Sequence, residues 1–189
     1  MYIIRADGNT AIGMGHVMRC LSIADAMKER NIEPVFMTAD NGCVSMIEDR
    51  GFEVYVLGTD YRDMESELSL IRNYLETQNK GAKQIPAILV DSYQVTSRYY
   101  EELRKLAKVA CLEDMGQSYP VDLLVNYNIY GPKLVYDNKI THATLLGTGY
   151  QPLRREFQQD MQYDIKDKIT DVMITTGGSD SYFAARAFT

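Results

Sequence analysis

Ala87-Ile88-Leu89-Val90 is apolar without interruption and is closed by Asp91. A strand of this kind offers no polar face to water, so it belongs in the middle of a parallel sheet with helices on both sides. The rest of the chain supplies the helices. Tyr2-Ile3-Ile4 reads as a first strand. From Ala11 the period changes, and Val17, Leu21, Ala24 and Met27 fall at helical spacing until Asn31 ends the run. Pro34 to Thr38 and Glu53 to Leu57 read as strands, with a short helix from Val44 to Arg50, closed by Gly51, between them. Met64 to Thr77 is helical, with Leu68, Ile71 and Leu75 on one face, and the polar stretch from Gln78 to Gln84 is loop-like. After the strand closed by Asp91, Thr96 to Lys108 reads as a helix. Val109 to Leu112, Asp122 to Val125 and Thr144 to Leu146 read as further strands. Short strands alternating with helices imply βαβ units, hence an α/β, Rossmann-like, doubly wound and mostly parallel sheet.

The alternation breaks near Tyr150. Residues 1–152 are expected to form this first domain and residues 153–170, polar and of mixed charge, a linker. Asp171 to Thr175 reads as a fresh strand, and Gly177-Gly178-Ser179-Asp180 as a glycine turn before another helix. One βα unit cannot bury its own face. Residues 171–189 therefore read as the start of a truncated second domain.

Composition narrows the partners. With 20 basic and 26 acidic residues the chain carries a net charge of −6. That speaks against a nucleic-acid or membrane-surface binder, which needs a basic face. No apolar run is long enough to span a bilayer, and the N-terminus lacks the apolar core of a leader. Cys20, Cys43 and Cys111 are scattered and show no CxxC spacing, which suits a reducing cytoplasm. With only two histidines, no zinc-ligand spacing exists, and neither a metal nor a cofactor is expected.

The chemistry concentrates in one loop. Gly13-Met14-Gly15-His16 follows the first strand and opens the first helix, with Arg19 one turn beyond His16. Open α/β sheets place ligands at the carboxyl ends of their strands. There, glycines let a ligand approach the backbone, and free helix N–H groups favour negative charge. A histidine in this position moves protons near neutral pH, and a helix N-terminus favours its neutral, basic form. Spacing alone leaves a second reading, in which His16 merely caps the helix and the glycines only shape the turn. It also leaves Arg19 as either a phosphate or carboxylate ligand or a surface ion-pair partner. Asp91 lies at a strand end facing the same crevice, or else caps a following turn. Tyr93, Glu113, Asp114, Asn126 and Asn128 also follow strand ends and are candidates to line the cleft.

Several segments in this order resemble a known family. They are Arg5-Ala6-Asp7-Gly8, Ile12 to Ala24, Val90-Asp91-Ser92-Tyr93, Asp122 to Asn126, Leu145 to Tyr150 with Leu153 to Phe157, and Ile174 to Asp180. Together they resemble the UDP-2,4-diacetamido-2,4,6-trideoxy-β-L-altropyranose hydrolases of the pseudaminic acid pathway and related spore coat polysaccharide biosynthesis proteins. The resemblance implies a GT-B architecture of two Rossmann-like domains across a cleft. It implies hydrolysis of a UDP-linked amino-deoxy sugar with inversion at the anomeric carbon, or the glycosyltransferase version of that chemistry. A binding fragment without turnover is the third alternative. The resemblance makes His16 the catalytic residue, with Gly13 and Gly15 shaping its loop. Gly13, Gly15, Arg19, Asp91, Tyr93 and Asn126 are placed on the substrate, and Gly177, Gly178 and Ser179 at the diphosphate. The chain departs from the family at Ser92, where a bulkier or basic residue is common, and at Glu113, where the family shows an aspartate.

Overall fold

The structure, a computed structural model, describes residues 1–78, 86–158, 165, 167–174 and 186. Seven strands form one sheet: β1 (Tyr2–Ala6), β2 (Val35–Thr38), β3 (Val54–Val56), β4 (Ala87–Asp91), β5 (Lys108–Leu112), β6 (Leu123–Asn126) and β7 (Thr144–Leu146). Their spatial order is β3-β2-β1-β4-β5-β6-β7, and every pairing is parallel. The sheet expected to be mostly parallel is wholly so among the described residues.

Period-two alternation sorts the core. Ile3, Met37, Ile88, Val90, Val109 and Cys111 face one layer, packed with Ile71, Tyr74 and Leu75 of α3 (Leu68–Gln78) and Tyr99, Tyr100 and Leu103 of α4 (Ser97–Arg104). Ile4, Ala6 and Phe36 face the other, packed with Val17, Cys20, Leu21 and Ala24 of α1 (Gly15–Lys28) and Ile47 of α2 (Val44–Glu48). Both layers exclude water, which explains why β4 carries no polar residue before Asp91.

The order of strands creates the site. β1 is central, paired with β2 on one side and β4 on the other, with Ala6 level with Asp91. The chain leaves β1 for α1 on one face and β4 for α4 on the opposite face. The two connections diverge and open a crevice above the β1 and β4 ends.

Some elements differ from expectation. The helix expected over Thr96–Lys108 ends at Arg104, and β5 already begins at Lys108. The segment from Met64 starts as a 3-10 turn, Met64–Glu67, before α3. That turn brings the Glu67 carboxylate inside the molecule, where Arg5 meets it at 2.7 Å. Residues 171–174, expected to begin a strand, carry no regular structure and are exposed, and Thr175 lies outside the described residues.

Candidate functional site

The loop between β1 and α1 is built by Asn9. Its side-chain oxygen accepts from the backbone N–H of Ala11 and Ile12 at 2.9 and 3.1 Å, and its carbonyl from Gly13 at 2.8 Å. Gly13 sits at φ +73°, a conformation that favours glycine. Gly15 has no such need: a Cβ there would meet nothing within 4 Å. Its missing side chain leaves room instead. That room belongs to an open cavity of about 560 Å³ lined by residues 11–15, Met18 and Arg154.

The turn delivers His16 and Arg19 to the crevice. His16 Nδ1 lies 2.8 Å from Asp91 Oδ1. Arg19 donates through Nε and Nη2 to both oxygens of Asp91. The buried Cys20 thiol points at the same carboxylate, 3.6 Å from Oδ2. Asp91 is 1% exposed. Burial pushes its pKa up, but the hydrogen bonds and charges of Arg19 and His16 outweigh this and hold it below the ordinary value of 3.8. An ionised Asp91 accepts from Nδ1–H, which fixes the tautomer and leaves the lone pair on Nε2. Among the described residues none hydrogen-bonds Nε2. Arg19 Nη2 also lies 3.1 Å from Nδ1, but two donors do not bond, so Asp91 bridges the pair.

Arg19 is engaged at its far end as well. Its Nη1 donates to Tyr127 Oη at 2.8 Å and to Asp114 Oδ2 at 3.3 Å. Tyr93 donates its hydroxyl to Asp114 Oδ2 at 2.8 Å, and its ring meets that of His16 edge-on at 4.7 Å. Burial, then Asp114, pushes the Tyr93 phenol up to about 12, so it remains a donor. His16, Asp91, Arg19, Asp114 and Tyr93 thus close a ring of contacts. In front of His16, Asp91 and Tyr93 lies a cavity of about 150 Å³ lined also by Asp7, Ile12 and Tyr61.

Of the residues expected at the site, His16, Arg19, Asp91 and Tyr93 converge. Arg19 forms ion pairs with Asp91 and Asp114, and these lie inside the crevice, not on the surface where the ion-pair reading puts them. His16 does not cap α1: the cap position is Met14, and His16 lies within the first turn with its side chain on Asp91. Asn126 is fully buried and does not face the cleft. Its amide donates to Tyr136 Oη at 2.8 Å and its oxygen accepts from Asn128 N at 3.0 Å, so it shapes the loop after β6. Gly177, Gly178 and Ser179 lie outside the described residues. The sequence reading missed Asp7, Tyr127 and Cys20 as site residues. Asp7 and Tyr127 follow the ends of β1 and β6, so the strand-end rule that selected Asp91 selects them too. The contact from Cys20 has no sequence signal of its own.

Below the site, Arg5 is wholly buried and held by Glu67 and by Asp7, at 2.7 and 2.6 Å. Asp7 in turn accepts from Ala39 N at 2.7 Å. Among the described residues no cluster of His, Cys, Asp or Glu is placed to hold a metal ion, and no helix is long and apolar enough to cross a membrane.

No protein-family profile matches the chain. It is 26% identical over 190 residues to an uncharacterized protein of Methanocaldococcus jannaschii. It is 25% identical over 183 residues to the UDP-2,4-diacetamido-2,4,6-trideoxy-β-L-altropyranose hydrolase of Campylobacter jejuni. Each match covers 94% of this chain, and the chain spans 36% and 60% of the two relatives' own lengths. Among solved structures, MurG of Acinetobacter baumannii superposes with a TM-score of 0.50 at 12% identity, over 72% of this chain and 43% of that one. That likeness establishes the Rossmann-like α/β fold.

Proposed function

We propose that the chain is the catalytic-histidine lobe of a sugar-nucleotide-processing enzyme that hydrolyses a UDP-linked amino-deoxy sugar. The observation that carries this reading is the His16–Asp91 pair at the β1/β4 crevice, with Nε2 left as a base. Similarity to the Campylobacter hydrolase supports the substrate class. In this reading Nε2 takes a proton from water as the water oxygen attacks the anomeric carbon. The bond from that carbon to the diphosphate oxygen breaks, UDP leaves with the electron pair, and the anomeric carbon inverts. Asp91 stabilises the imidazolium that forms, and Arg19 keeps Asp91 ionised and oriented. Tyr93 bounds the sugar. The nucleotide is assigned to a second lobe that begins near residue 171 and includes Gly177, Gly178 and Ser179.

The fold shared with MurG leaves a transferase as the competing reading, in which a sugar hydroxyl replaces water. A longer polypeptide containing this chain, incubated with UDP-sugars with and without candidate acceptors, separates the two. UDP release without acceptor supports the hydrolase, and strict acceptor dependence replaces it with a transferase. Binding without release reduces the chain to a recognition module.

A further inference from the structure

Asp114 stands outside the proton path, yet it touches both residues that frame His16. One of its oxygens, Oδ2, receives Tyr93 Oη at 2.8 Å and Arg19 Nη1 at 3.3 Å. Its backbone carbonyl accepts from Tyr130 Oη at 3.0 Å, which anchors the residue from behind. Tyr93 is otherwise weakly held: it is 58% exposed, and among the described residues its one aromatic neighbour is His16. It also stands between two cavities. The one before His16 is about 150 Å³, and the one before Glu113 and Asp114 is about 370 Å³. Tyr93 and Ser92 line both, and Ser92 is too small to divide them. The partition is therefore the tyrosine ring, and what keeps the ring in place is the Asp114 carboxylate.

We propose that Asp114 is a positioning residue that determines sugar specificity by pinning Tyr93 as the wall between these two cavities. With the hydroxyl held, the space before Nε2 admits a group no larger than the smaller cavity. Released, Tyr93 swings toward solvent and the two spaces merge. This inference rests on the proposed role of His16, but its first readout does not need turnover.

The test compares wild type with Asp114→Ala, Asp114→Asn and Tyr93→Phe. Nuclear Overhauser contacts between the aromatic protons at positions 16 and 93 report the wall. Loss of a hydrogen bond to a charged group shifts such an equilibrium about tenfold or more. The contact is expected to weaken strongly in Asp114→Ala and in Tyr93→Phe. It should be partly kept in Asp114→Asn, whose amide oxygen still accepts from the phenol. An unchanged contact in Asp114→Ala overturns the proposal. If that variant does not fold, an unchanged contact in Tyr93→Phe does so instead. The second readout is kcat/KM for UDP-N-acetylglucosamine against UDP-glucose in a longer polypeptide containing the chain. Discrimination should fall about tenfold in Asp114→Ala. The double variant with Tyr93→Phe should be no worse than either single change, because both remove one interaction. A weakened contact with unaltered discrimination removes the specificity role. Absence of turnover in wild type defeats the hydrolase reading, and the ring contact alone then decides the positioning role.

Discussion

A carboxylate that is 1% exposed survives inside a protein only if its partners replace water, and Asp91 has His16, Arg19 and Cys20 around it. This sets what His16→Ala does. Arg19 still holds Asp91, so the fold should survive with a loss of about 1.5–3 kcal/mol, the range for a hydrogen bond to a charged group. UDP release should fall by about 10²–10⁴, the usual contribution of a placed base. Melting temperature and turnover measured on the same variant check both, and retained turnover removes the catalytic assignment. Asp91→Asn is expected to cost more stability, because it leaves the Arg19 guanidinium without its main counter-charge. Its pH dependence has a definite sign. The folded-state pKa of Asp91 is lowered, so its contribution is complete above the unfolded value of about 3.9 and is lost as pH falls through the folded value. The stability gap between wild type and Asp91→Asn should thus close as the pH falls below about 4. A gap that widens as the pH falls below about 4 would contradict an ionised Asp91.

At the level of elements, the turn before α3 carries the clearest energetic consequence. Glu67 and Arg5 are both fully buried, and Glu67 also accepts from Tyr99 Oη at 2.7 Å. Glu67→Gln leaves a buried guanidinium short of charge, and breaking such a pair costs about 3–5 kcal/mol. Urea unfolding should show that loss, whereas removing the exposed Arg62–Asp60 pair should leave the midpoint where it was. This network also marks the limit of what the sequence discloses. The heptad-like spacing of Leu68, Ile71 and Leu75 revealed the helix, and the unbroken run Ala87–Val90 revealed the central strand. Nothing in Met64-Glu65-Ser66-Glu67 distinguishes a glutamate aimed at Arg5 from one aimed at water, because that depends on a contact 62 residues away. The site divided in the same way. His16, Arg19 and Asp91 follow from glycine turns and strand ends, which are local signals. The buried position of Asn126 depends on Tyr136, ten residues on in the connection to β7.

For the whole molecule, the sheet order opens the crevice of the proposed site, and the charges around it favour one end of the proposed ligand. The crevice before His16 is lined by Asp7 and Asp91, and Arg19 is already committed to Asp91 and Asp114. A diphosphate placed there would face carboxylates, in a chain whose net charge is −6. Hydroxyl and amide donors of a sugar suit that lining, and phosphate oxygens do not. The chain by itself should consequently bind UDP weakly, with Kd above about 1 mM. A longer polypeptide containing it should bind at least about a hundredfold tighter if a second lobe holds the nucleotide, a difference of about 2.7 kcal/mol. Calorimetric titration of both with UDP measures this directly. N-acetylglucosamine supplies the complementary arm, since it should perturb the His16 and Tyr93 resonances of the short chain without UDP. Micromolar UDP binding by the short chain, with no response to the sugar, would reverse the orientation. It would put the nucleotide, not the sugar, against His16, and the base would then lie too far from the anomeric carbon to act.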